Sequence, residues 1–223
     1  MQGWERKSSK SSMSSSSKKD IVYNQIRQKI INCEYAPSSL LSEAKLMEEL
    51  GASRTPLREA LNKLEQENLV IILPKKGIMT AGLSLKDIMD VYHVRLLLEP
   101  HIIRTWGMSI PQAALHAFRE NALSYTEDEP QSQKNQLDDE LHRIIINSCP
   151  NTYLLHMSRQ LYDQNQRIRI FVGQLALRME VNIASHLKIV DYMLALDFDR
   201  AADAMESHID EGRSTAMRLL GGQ

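Results

Sequence analysis

Residues 42–82 read SEAKLMEELGASRTPLREALNKLEQENLVIILPKKGIMTAG, and the punctuation of this stretch decides the fold. Ser42 offers an N-cap, Glu43 suits a first turn, and Leu46, Met47 and Leu50 fall on one helical face. Gly51 is placed to close that helix in the left-handed conformation. Two or three residues later a second helix starts, with Ser53 or Thr55 as N-cap, Pro56 in the first turn and a buried stripe of Leu57, Ala60, Leu61 and Leu64. Two short helices across a glycine-containing turn form a helix-turn-helix pattern. Next come two β-prone runs, Leu69–Leu73 and Ile78–Ala81, joined by Pro74-Lys75-Lys76-Gly77, which predict a small hairpin with a basic tip. Upstream, Ile21, Val22, Ile26, Ile30 and Ile31 recur at helical spacing from Asp20, before a break at Glu34–Ser39. Three helices and a hairpin make a winged helix over residues 20–82.

Working outward, residues 1–19 hold eight serines among scattered lysines and are expected to be a disordered tail. Beyond Gly82 the strand signals stop. Ser84 caps a long helix running to about Met108, with Pro100 kinking or interrupting it, and further helices are expected over about 110–125, 131–149, 152–176, 178–196 and 199–220. The chain is therefore mainly α: a winged helix-turn-helix, then an all-α antiparallel bundle over 84–220. Aromatics at 5% agree with helices rather than a β-sandwich.

Several classes are excluded. No run of eighteen apolar residues marks a membrane helix. The first twenty residues lack the apolar segment of a secretory signal. Cys33 and Cys149 are too few for a disulfide framework and lack metal-site spacing, so reduced thiols in the cytoplasm are expected. The net charge of −1 divides unevenly: residues 1–80 carry 13 Lys/Arg against 9 Asp/Glu, and residues 81–223 carry 14 against 19. The tail alone supplies the front's excess, so bulk charge only hints at nucleic acid.

The second helix of the pair has the chemistry of a recognition helix. Such helices meet the major groove with their N-terminal residues. Arg54 and Arg58 project from one face of that end, and the arginine fork matches guanine O6 and N7. Ser53 and Thr55 can donate to phosphate, while Lys75 and Lys76 put charge at the wing tip and Gly77 permits close backbone approach. Taken alone, two arginines describe a solvated helix face. The order of helix, tight turn, recognition helix and basic wing favours DNA. Residues 20–82 resemble the winged-helix domain of the GntR family of bacterial transcription regulators, through Leu41-Ser42-Glu43, Leu46, Leu50-Gly51, Ser53-Arg54-Thr55-Pro56, Arg58-Glu59-Ala60-Leu61, Leu64-Glu65 and Gly77. The resemblance implies that Arg54, Thr55 and Arg58 contact DNA and that the wing around Lys76-Gly77 enters the minor groove. An Arg common in the family after the Ser-Glu pair is Ala44 here, followed by Lys45, which could partly replace it.

All seven histidines lie from His93 onward. Asp138 and His142 are four apart on one helical face, and His186 and His208 flank the Asp197–Asp199 turn at similar distances. A carboxylate and three imidazoles converging in a bundle would suit a divalent ion, although each histidine could also be an ordinary core or surface residue. Asp138 could equally be a surface acid, as Asp139 and Glu140 are expected to be. Residues 84–220 resemble the FCD effector-binding domain of the FadR-type branch of the same family, through Val94-Arg95, Leu98-Glu99, Asp138-x-x-Leu141-His142, His186-x-x-Ile189-Val190 and Ala204-Met205-x-x-His208. That resemblance implies a metal held by Asp138, His142, His186 and His208, and their donor chemistry makes a borderline divalent ion, Zn²⁺ or Ni²⁺, the expected one. Arg95 either pairs with Glu99 along its helix or, as the family implies, meets a carboxylate effector.

The sequence thus describes a ligand-responsive bacterial transcription regulator, not an enzyme. A homodimer would read palindromic operator DNA, and a small organic acid would modulate it. Two rivals stand beside it: a metalloenzyme using the Asp/His cluster, and a DNA-binding protein whose bundle is purely structural.

Overall fold

The computed structural model describes residues 17–126, 129–176 and 183–221. Residues 1–16 of the expected tail, and the start of the helix expected from 178, lie outside them. The described residues form two compact units. One comprises those up to Gln28 with Leu40–Met79, and the other comprises Lys29–Ser39 with those from Thr80 onward.

Helix α1 (Lys18–Ile31) starts two residues inside the expected tail and buries Val22, Ile26, Ile30 and Ile31. Strand β1 (Leu40–Leu41) precedes α2 (Glu43–Leu50), which buries Leu46 and ends at Gly51 with φ 58°. There the chain turns in the left-handed region open to glycine without a Cβ clash. Helix α3 (Arg54–Gln66) buries Leu57, Ala60, Leu61 and Leu64, the stripe its spacing predicts. Strands β2 (Val70–Leu73) and β3 (Gly77–Thr80) complete a sheet of order β1-β3-β2. β1 pairs antiparallel with β3, Leu40 opposite Met79 and Leu41 opposite Ile78. Only a glycine fits at position 77, because a Cβ there would lie 2.7 Å from the Leu41 carbonyl oxygen at a φ of 113°.

In the second unit α4 (Leu85–Trp106) opens with a reciprocal capping box between Ser84 and Asp87, and it continues unbroken through Pro100. A short 3₁₀ turn (Gly107–Ser109) leads to α5 (Gln112–Ser124), α6 (Gln131–Asn147), α7 (Thr152–Ala176), α8 (Ile183–Leu194) and α9 (Phe198–Gly221). α4 packs on α9 and α7, α9 on α8 and α7, α8 on α5, and α6 on α4, α5 and α7. The core they enclose includes Ile88, Ile102, Phe118, Leu141, Ile168, Val172, Ile189 and Met205. Ser39 and Thr80 are tied by reciprocal bonds: Ser39 N–H donates to Thr80 Oγ1 at 2.9 Å, and Thr80 N–H to the Ser39 carbonyl at 3.0 Å. Both cysteines are free and buried.

Candidate metal centre and nucleic-acid interface

α6 brings Asp138 and His142 inward one turn apart, and the α8–α9 hairpin does the same for His186 and His208, which are equidistant from Asp197. The four meet. One donor atom from each lies within 4.8 Å of all the others. Asp138 Oδ1 is 3.1 Å from His186 Nε2 and 3.7 Å from both His142 Nε2 and His208 Nε2. His208 Nε2 stands 3.2 Å from His186 Nε2 and 3.3 Å from His142 Nε2. Asp138, His142 and His186 are buried, and His208 is nearly so.

The far side of each donor fixes its orientation. His142 Nδ1 is 2.5 Å from Glu99 Oε2, so it is the nitrogen that carries a proton toward the carboxylate, leaving the Nε2 lone pair facing the cluster. His208 Nδ1 is 2.9 Å from Ser185 Oγ. Arg169 binds the second oxygen of Asp138 and also Asp139. His186 Nδ1 is buried and finds no partner among the described residues. Imidazole nitrogens about 3 Å apart with facing lone pairs repel unless a proton or a cation lies between them, so the donor set fits a divalent ion.

Electrostatics agree. Burial works against the Asp138 charge, but the Arg169 guanidinium beside it holds its carboxyl well below the ordinary range. Burial likewise opposes the Glu99 charge, and Arg95 with His142 brings it down to about 2. His208 is depressed well below an ordinary histidine, by burial and by the neighbouring His186 and His142. Its neutral form is the one that ligates metal.

Arg95 makes the intrahelical pair with Glu99 that its spacing predicts, and it reaches two further helices. Its Nε donates to Glu99 Oε1 at 2.7 Å, and one amino group donates to Asn165 Oδ1 at 2.9 Å. The other amino group lies 3.1 Å from His142 Nε2, so the guanidinium borders the four donors. Asn165 is buried, and its Nδ2 has no partner among the described residues. Sequence spacing missed Glu99 as a histidine partner, and it missed Ser185, Asn165 and Arg169. The one local signal was the polar series Tyr162, Asn165 and Arg169 on α7, at the i, i+3, i+7 spacing of a single face beside apolar Ile168 and Val172. Asp139 is a correction: it is not a solvated surface acid, because Arg169 from α7 reaches it and leaves its side chain 14% exposed.

In the other unit, Lys45, Ser53, Arg54, Thr55, Arg58, Lys75 and Lys76 are all exposed, and Gly77 is half-buried. Ser53 is the N-cap of α3, yet its side chain makes no capping bond. Arg58 lies 3.5 Å from Glu43 across the turn, a contact at the limit of hydrogen bonding. The wing tip turns through Lys75 at φ 62°.

The FCD domain family matches residues 90–211, and the gntR family of bacterial regulatory proteins matches residues 18–79. Over 88 residues the chain is 40% identical to an HTH-type transcriptional regulator of the TAR-I ttuE-ttuC' intergenic region of Agrobacterium vitis, covering 40% of this chain and 52% of that protein. Over 199 residues it is 24% identical to the HTH-type transcriptional repressor GlaR of Escherichia coli, covering 84% of this chain and 90% of the relative. Among solved structures, Escherichia coli McbR/YncC shares the fold with a TM-score of 0.78 at 17% identity, over 92% of this chain and 99% of that one. No helix among the described residues is long and apolar enough to cross a membrane.

Proposed function

The chain belongs to the FCD-domain family of gntR-type bacterial regulators, and from this membership we propose a homodimeric, metal-containing regulator whose operator binding answers to a small carboxylate. It is a DNA-binding transcriptional regulator, and the named relatives are regulators rather than enzymes. The finer parts rest on the chemistry of the two sites.

Arg54 and Arg58 read base edges from α3, Ser53 and Thr55 meet phosphate, and Lys45, Lys75 and Lys76 supply further cationic contacts. Their exposure, at the α3 N-terminus, at the hairpin tip and, for Lys45, on α2, supports this assignment. Two copies related by a two-fold axis would read a palindrome in the bacterial cytoplasm, where the DNA is.

The observation that carries the metal reading is the convergence of one donor atom each from Asp138, His142, His186 and His208 within 4.8 Å of one another. Asp138, His142, His186 and His208 would hold a Zn²⁺ or Ni²⁺ ion, which when bound offers an anion a Lewis-acidic partner. Glu99, Ser185 and Arg169 orient three of those ligands. The buried charges then favour an anionic effector. With a divalent ion in place, Arg95, Arg169 and the ion carry four positive charges against the three carboxylates Glu99, Asp138 and Asp139. One further carboxylate balances them, and Arg95 beside His142 is placed to receive it.

The test is to sequence genomic fragments retained by the protein, then to titrate the recovered duplex with and without Zn²⁺ and a panel of small organic acids. Affinity that shifts with one acid, and only with metal present, supports the reading. Affinity indifferent to metal and to every acid leaves a DNA-binding protein with a structural bundle.

A further inference from the structure

Helix α7 touches the candidate metal centre with one face and the chain's connecting segments with another. On the inner face, Asn165 Oδ1 accepts from Arg95 at 2.9 Å, Arg169 binds Asp138, and the Tyr162 ring lies 6.3 Å from the His142 ring. From the other face, Arg167 donates to the Ala81 carbonyl at 2.7 Å and Gln166 Nε2 donates to Asn32 Oδ1 at 3.2 Å. The Cys33 thiol, on a residue at φ 54°, donates to the Arg167 carbonyl oxygen at 3.6 Å. Asn32 and Cys33 precede the run into β1, and Ala81 follows β3 by one residue. The Ser39–Thr80 bonds and the bond from Thr80 Oγ1 to the Ala36 carbonyl tie these two segments to each other.

Arg167 is an unusual clasp. It is 1% exposed, yet its hydrogen bonds go to a backbone carbonyl and to the Gln164 side chain rather than to a carboxylate, and its Nε has no partner among the described residues. Burying a guanidinium against neutral partners is costly, and burial lowers its pKa accordingly. Position is what the clasp secures. Residues 165 and 167 stand about 200° apart around an α-helix, so a roll of α7 that re-seats Asn165 and Arg169 must also move Arg167 and Gln166.

We infer that α7 is the coupling element of the regulator: occupancy of the Asp138/His142/His186/His208 site reaches the DNA-reading unit through Arg167 and Gln166, which hold segments 32–39 and 80–82 where they enter β1 and leave β3. This regulation rests on the metal reading of that site. It requires two sites and one element whose position both bias, and α7 supplies the element.

Hydrogen exchange on the full chain, with and without Zn²⁺, reads the coupling, and calorimetry reads metal binding separately. In the wild type, Zn²⁺ should slow exchange of the amides at 32–39 and 80–82 by about fivefold or more, the lower end of ordinary site-to-site coupling. Arg167→Gln should bind Zn²⁺ with wild-type affinity and lose that protection. If this variant does not fold, Gln166→Ala should weaken the response at 32–35. Metal binding that leaves both segments unchanged in the wild type overturns the inference, and so does a full response in Arg167→Gln. A wild type that takes up no metal refutes the metal reading alone. Asn165→Leu, which alters the inner face of α7 directly, then decides the coupling: changed exchange at 32–39 supports it and unchanged exchange overturns it.

Discussion

Arg169 shows how single residues build the site. Its guanidinium spans Asp138 and Asp139, so it both holds the Asp138 carboxylate in its ionised form and turns one oxygen toward the histidines. Arg169→Met should therefore weaken metal binding by about 10–100-fold, the usual effect of losing an outer-shell partner, as measured by competition with a chelating dye. At the DNA-reading end, Arg58→Ala should cost about 1–3 kcal/mol on the recovered operator and relax preference at one base pair. Lys76→Ala should instead reduce the salt slope by about one, because one released counterion is lost. Titrations at several salt concentrations separate the two effects. Spacing offered the four candidate ligands only weakly, through the shared face of Asp138 and His142 and the mirrored places of His186 and His208 about Asp197, and the FCD-like motifs singled them out. Glu99, Ser185 and Arg169 were not legible as their partners, since each comes from a different helix from the ligand it orients or from a contact that spacing does not encode. Asp139 was misread for the same reason: nothing in α6 announces a guanidinium arriving from α7.

At the level of elements, the helices follow from local chemistry. Ser84 and Asp87 start α4 reciprocally, and Gly51 ends α2 where the spacing predicts. Ser84→Ala should lower stability by about 1 kcal/mol, seen as a shifted urea midpoint with unchanged slope. Gly107, after α4, matters for space rather than for backbone freedom. A Cβ there would lie 2.2 Å from the Phe198 ring at the start of α9. Gly107→Ala should cost about 1–3 kcal/mol as the ring is displaced, and Gly107→Ala with Phe198→Leu should recover part of that loss in thermal melts. Strand β1 was not legible. Two residues, one of them 63% exposed, carry no alternation, and their pairing depends on β3 nearly forty residues later. The hairpin of β2 and β3 was legible because its β-prone runs flank a Pro–Gly turn.

For the whole molecule, the winged helix and the helical bundle follow from periodicity and ordered motifs, whereas the carboxylate effector rests on the family resemblance and on the cationic Arg95. If the protein is a dimer, its solution mass should be twice 25.5 kDa by light scattering. A bound ion should stabilise the native state by linkage, about 2.7 kcal/mol at a free metal concentration one hundred times the dissociation constant, so chelation should lower the melting temperature. Elemental analysis of the untreated protein tests the metal centre most directly. One divalent ion per chain is expected in the wild type, with substoichiometric metal in His142→Ala and His208→Ala. Wild-type protein that is metal-free as purified, takes up no Zn²⁺ or Ni²⁺ on reconstitution, and still responds to a small acid would contradict it.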